Sequence, residues 1–157
     1  MAKDFPNWIV ELWGAVDGKA YYKELQILIK KNGLENQVLL KGTTNDVPAV
    51  LKSGDIFTIT SAYEGFGLSL GEAMSMGLPA VGYKNCSAVN ELIRDRENGY
   101  LCEDGIDDLA DKLTKLMKNT ELRITMGKQA RASMRAYAPE KIWNLWESLL
   151  QQYERNG

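Results

Sequence analysis

Apolar runs of four to six residues alternate with longer amphipathic stretches along the first hundred residues. Trp8-Ile9-Val10-Glu11-Leu12-Trp13 is the first such run and closes at Gly14 and Gly18, before a helical pattern over 19–31. The alternation repeats with Gln37-Val38-Leu39-Leu40-Lys41 ahead of a short helix over 46–52. It repeats again with Asp55-Ile56-Phe57-Thr58-Ile59-Thr60 ahead of a helix over 68–76. Two further strands are predicted at 79–83 and 99–102, with a short helix over 88–94 between them. Strands rich in Val, Ile and Leu that alternate with helices predict a parallel sheet covered on both faces.

Beyond Cys102 only helical periodicity remains, over 107–118, 121–137 and 139–153. Thr120 reads as an N-cap and Pro139 as a first-turn proline. The last helix sets Ile142, Trp143, Leu145, Trp146, Leu149, Leu150 and Tyr153 on one broad face. Packing of that face on the sheet is the expected outcome, and docking against another domain is the alternative. The fold class is therefore α/β, a Rossmann-like parallel sheet with helices on both faces and a helical C-terminal tail. No repeat, low-complexity tract or linker divides the chain, so residues 1–157 are expected to form one domain.

Composition narrows the function. The chain has 157 residues, 45% hydrophobic and 25% charged, which suits one globular domain. A formal net charge of -2 without a basic cluster argues against nucleic acid as a partner. Histidine is absent, which removes the commonest general base and transition-metal ligand from the segment. Cys86 and Cys102 have neither zinc-site nor disulfide-framework spacing, and no signal peptide or membrane-spanning run is written, so a reducing cytoplasmic compartment is expected. The acidic run Asp104, Asp107, Asp108 and Asp111 reads as a solvated helix start, and no metal is assigned to it. Cys86 follows a strand and could line a crevice, although a lone cysteine is more often filler.

The segment from Ser61 to Pro79, SAYEGFGLSLGEAMSMGLP, carries the chemistry. It leaves the carboxyl end of a strand, turns through Gly65 and Gly67, enters a helix and reaches the next strand through Gly77 and Pro79. In open α/β sheets ligands bind outside the carboxyl ends of the strands. A helix start with unpaired N–H donors and a positive dipole end there favours a phosphate. Glu64 in the turn and Glu72 about one turn into the helix could both face the crevice, where a carboxylate suits paired sugar hydroxyls. On the residues alone, a surface Glu64 and a Glu72 that merely helps the helix remain equally open.

This segment resembles the signature of the retaining, nucleotide-sugar-dependent glycosyltransferases of GT-B architecture, S-x-x-E-G-F-G-L-x-x-x-E-A-M-x-x-G-x-P, with seven residues between Glu64 and Glu72. The likeness runs through the chain, from Phe5-Pro6-Asn7-Trp8 to Glu97-Asn98-Gly99-Tyr100-Leu101. It implies the C-terminal, donor-binding half of an enzyme that moves a sugar from a nucleotide diphosphate sugar, UDP-sugar first, to a saccharide or lipid-linked acceptor in bacterial cell-surface polysaccharide synthesis. It implies that Glu72 binds the donor ribose and that Glu64 sits beside the transferred sugar as the catalytic candidate, stabilising positive charge as the diphosphate leaves. Backbone groups of Gly65, Phe66, Gly67 and Leu68 would contact sugar and diphosphate, and Gly42 and Thr43 would flank the base. Neither a metal nor another cofactor is implied.

The family pattern has one further βα unit ahead of Trp8, carrying an arginine and a lysine that clamp the diphosphate, and an amino-terminal acceptor domain. Neither is written here, so the chain is expected to be truncated at its N-terminus and close to inactive alone. That first strand lies centrally in the family's sheet. Without it the strands at Trp8 and Asp55 must pair directly, leave a gap or recruit a neighbour, so oligomerisation through an exposed edge is an expectation. Peripheral membrane association belongs to the full-length enzyme, because the chain has no basic amphipathic helix of its own. Two rivals are a nucleotide-sugar 2-epimerase of GT-B type and a non-catalytic nucleotide-binding module. Neither accounts for the glutamate spacing.

Overall fold

The computed structural model describes residues 2–15 and 19–155, so the expected turn at Gly18 lies outside the described residues. Strands β1 (Val10–Trp13), β2 (Val38–Gly42), β3 (Phe57–Ile59), β4 (Ala80–Tyr83) and β5 (Gly99–Cys102) alternate with helices α1 (Lys19–Lys31), α2 (Val47–Ser53), α3 (Leu68–Ser75) and α4 (Val89–Leu92). Helices α5 (Ile106–Lys118), α6 (Thr120–Ser133) and α7 (Pro139–Arg155) follow, with a 3-10 turn, Met134–Tyr137, between the last two. The α/β class holds, and every ladder is parallel. The described strands form two sheets instead of one, β1-β2 and β3-β4-β5.

The chain divides into two compact units, residues 1–49 and 50–157. In the first, β1 runs alongside β2 from Val10 opposite Val38 to Trp13 opposite Gly42, with a register shift after Leu12. Gln37 ties the N-terminal segment to β2 by donating its side-chain amide to the carbonyl of Phe5 at 2.9 Å. Contrary to the expectation of a strand covered on both faces, β1 is exposed at all four positions. Among the described residues its sheet has two strands only, and none of this unit's described residues is fully buried.

The core lies in the second unit. Ile59, Leu70, Met74, Ala80, Val89, Leu92 and Ile93 pack as one cluster, and Val81, Cys102, Leu116 and Met126 as another. Close approach depends on glycine at two places. A Cβ on Gly82 would stand 2.6 Å from a Val89 methyl and 2.8 Å from an Ile59 methyl, so the centre of β4 admits α4 only because it is bare. A Cβ on Gly127 would stand 2.1 Å from the Gly77 carbonyl oxygen, so α6 crosses directly over the turn that ends α3.

Three sequence expectations are corrected here. Asn119, not Thr120, caps α6: its side-chain oxygen accepts from the Leu122 amide at 2.9 Å, while Thr120 is already helical. The helix expected to run to Tyr137 stops at Ser133 and tightens into the 3-10 turn. The apolar face of α7 does not pack as core: Trp143 is 73% exposed, Trp146 55% and Tyr153 74%.

Candidate donor site

The loop after β3 is anchored at its far end by α3, and the sequence explains both ends of that helix. Leu70, Ala73 and Met74 recur at helical spacing and are fully buried, which sets the inner face. Gly67 stands at the N-cap in the left-handed region (φ 72°, ψ 52°), a conformation a side chain would disfavour. At the other end Gly77 (φ 87°) donates to the Met74 carbonyl at 2.9 Å and Leu78 donates to that of Ala73 at 3.1 Å. This is a Schellman turn, and it aims the chain into β4.

Glu72 lies on the outer face of α3, one turn after Leu68, and both are exposed. Glu64 is half-buried in the loop, and its backbone carbonyl accepts from the Ser87 hydroxyl at 3.5 Å. Among the described residues neither glutamate carboxylate takes a hydrogen bond or ion pair. Gly65 is exposed, and a Cβ there would meet nothing within 4 Å. The arrangement thus offers two uncommitted carboxylates on either side of an open helix start, a donor-and-acceptor set suited to a sugar phosphate.

The remaining candidates fall elsewhere. Gly42 (φ 73°) ends β2 in the first unit and Thr43 follows it; the Gly42 carbonyl accepts from the Gly14 amide at 2.8 Å. A hollow of about 560 Å³ in that unit is lined by Tyr22, Lys30, Glu35 and Lys41 among others, and holds no residue of the glutamate segment. Cys86 is fully buried in the main core cluster and lines no crevice, because the strand end turns its side chain inward. Cys102 is likewise buried, and burial, with the field of Asp108 added, pushes its thiol up to about 11.

Among the described residues no group of three or more His, Cys, Asp or Glu is placed to hold a metal ion. The acidic run is engaged locally: Asp108 accepts from the Lys112 ammonium at 2.9 Å and from the Glu103 amide at 2.9 Å. The Lys112 hydrogen bond, then the Glu103 amide, holds its carboxyl below the ordinary carboxylate value. Asp104 accepts from Asn85 at 2.8 Å.

Three residues outside the segment, Ser87, Tyr137 and Met134, touch it without being announced by its pattern. Tyr137 meets the Phe66 ring edge to face, with centroids 5.6 Å apart and planes at 71°. The Phe66 ring and the Met134 sulfur converge on Gly71, each 3.9 Å from where its Cβ would be, an ordinary contact distance.

Residues 1–133 match the family model described as glycosyl transferases group 1. The chain is 34% identical over 152 residues to an uncharacterized glycosyltransferase of Haemophilus influenzae, covering 96% of this chain and 42% of that protein. Its fold matches a mutant of TarM from S. aureus in complex with fondaparinux, alpha-GlcNAc-glycerol and UDP, with TM-score 0.84 and 32% identity over 94% of this chain and 30% of that one. It also matches HepE from Anabaena in complex with UDP and glucose, with TM-score 0.79 and 29% identity over 89% of this chain and 40% of that one. The chain spans less than half the length of the first curated relatives it matches.

Proposed function

Since the chain belongs to the group 1 glycosyltransferases, with a GT-B donor-domain fold, we propose that its second unit carries the donor subsite of a retaining enzyme that takes a UDP-sugar. The observation that carries this reading is the pair of uncommitted carboxylates, Glu64 and Glu72, on either side of the left-handed Gly67 that opens α3. Glu72 receives the ribose hydroxyls. The amides that start α3, with the loop backbone of Gly65, Phe66, Gly67 and Leu68, receive diphosphate and sugar. Glu64 faces the transferred sugar and stabilises the positive charge that develops as the diphosphate departs. Gly42 and Thr43 flank the base. UDP in the TarM and HepE complexes supports uracil as that base.

The whole protein transfers this sugar to a hydroxyl-bearing saccharide or lipid-linked acceptor in bacterial cell-surface polysaccharide synthesis. An acceptor domain beyond the present residues binds the second substrate, and the reaction needs no cofactor besides its two substrates. The setting is cytoplasmic, at the inner face of the membrane for the full-length enzyme. No helix among the described residues is long and apolar enough to cross a membrane. Residues 1–157 act as one donor domain, and the exposed apolar side chains of β1, Val10, Leu12 and Trp13, support self-association through that sheet edge. Sedimentation of a single monomeric species at all concentrations would contradict the last point.

Calorimetric titration with UDP, GDP and ADP tests the donor site. UDP binds in preference, and Glu72→Ala weakens it about tenfold, the effect of losing a hydrogen bond to a charged group worth ~1.5 kcal/mol. Equal binding by both proteins would remove Glu72 from the site.

A further inference from the structure

The Gly65-Phe66-Gly67 turn contains two glycines, of which Gly67 is held by the first hydrogen bond of α3, from the Gly71 amide at 2.9 Å, while Gly65 is exposed and gains backbone freedom from its missing side chain. A Cβ at Gly65 would meet nothing, and the Ser87 hydrogen bond that reaches the preceding carbonyl is long at 3.5 Å. The Phe66 ring supplies the restraint. One side lies over α3 at Gly71, where the ring edge and the buried Met134 sulfur both stand at van der Waals distance from the position of a Cβ. The Tyr137 ring meets it edge to face. Phe66 and Tyr137 are 45% and 41% exposed, so their contact sits at the rim of the fold and not in its main core.

We propose that Tyr137 is a positioning residue for the donor: by packing on Phe66 it holds the Gly65-Phe66-Gly67 backbone in the conformation that receives the diphosphate and sugar. The inference rests on the donor-site reading above. Tyr137 itself touches no substrate. Its place is set by the 3-10 turn Met134–Tyr137, whose Met134 is buried in the main core cluster with Leu70 and Met74. The ring, not the hydroxyl, carries the effect. Loosening the turn affects ligands that reach the diphosphate and sugar positions and spares one that ends at the ribose and base.

The test compares Tyr137→Ala, Tyr137→Leu and Tyr137→Phe in the 157-residue chain, by 15N relaxation of the Gly65, Phe66 and Gly67 amides and by titration with UDP-glucose and uridine. Tyr137→Ala lowers the order of these amides and weakens UDP-glucose roughly three- to tenfold, the range an aromatic pair contributes, with uridine affinity unchanged. Tyr137→Phe retains both properties. Tyr137→Leu, which keeps apolar volume without the ring, follows Tyr137→Ala and carries the test if the smaller side chain unfolds the chain. Undisturbed amides, unweakened UDP-glucose, or uridine weakened to the same extent overturns the inference. If UDP-glucose binds and Glu72→Ala weakens it while Tyr137→Ala does not, the inference alone falls. If neither ligand binds the unaltered chain, the donor-site reading falls and the inference with it.

Discussion

Asn98 is the only fully buried polar side chain among the described residues, and its surroundings account for it. Its amide donates to the Leu92 carbonyl at 3.1 Å and to the Ser133 hydroxyl at 3.0 Å, and its oxygen accepts from the Arg94 amide at 2.7 Å. One side chain thereby closes the end of α4 and fastens it to α6. Replacement by alanine leaves these partners unpaired away from water, so Asn98→Ala is expected to cost about 2–3 kcal/mol in urea unfolding. A loss under 0.5 kcal/mol would mean that water satisfies them. The same residue stands in the Glu97-to-Leu101 stretch by which the chain resembles its family, and here its part is structural.

At the scale of elements, caps and charges decide how securely the helices stand. Asp108 in the first turn of α5 accepts from the Lys112 ammonium ahead of it and from the Glu103 amide behind it, which in that order lower its pKa. A lowered folded-state pKa means that this stabilisation is complete above the unfolded carboxylate's pKa and is lost as pH falls through the folded one. The difference in melting temperature between the chain and Asp108→Asn is therefore expected at neutral pH and should shrink to nothing in strong acid. A difference that persists there would assign the effect to packing. Helix α7 stands apart from this logic, for Pro139 begins it as the sequence predicts, yet its broad apolar face stays in water. Periodicity reports that such a face exists, and it carries no information about what covers it.

For the molecule as a whole, burial is unevenly shared. Every fully buried apolar side chain among the described residues belongs to the second unit, from Leu51 onward, where three strands and the helices around them enclose it. The first unit rests on two strands, α1 and polar ties such as Gln37, and two-stranded sheets are marginal in water. Native-state hydrogen exchange should accordingly release the β1 and β2 amides at a lower opening free energy than those of β4. Equal protection of both sheets would show that a further partner stabilises β1, as the proposed self-association would.

Order and type of the elements were legible in the sequence because each apolar run is bounded by glycine or polar residues and each helix keeps its 3.6-residue period. The glutamate pair was legible too, since a helix start at Leu68 places Glu72 one turn in whatever surrounds it. Tertiary structure alone decided that the strands divide into two sheets, that Cys86 turns into the core, that Asn119 caps α6, and that Tyr137 lies on Phe66. These depend on contacts between residues far apart in the chain, or on which of two adjacent side chains reaches an amide. Local pattern determines which face of an element is apolar, and only packing determines what that face meets.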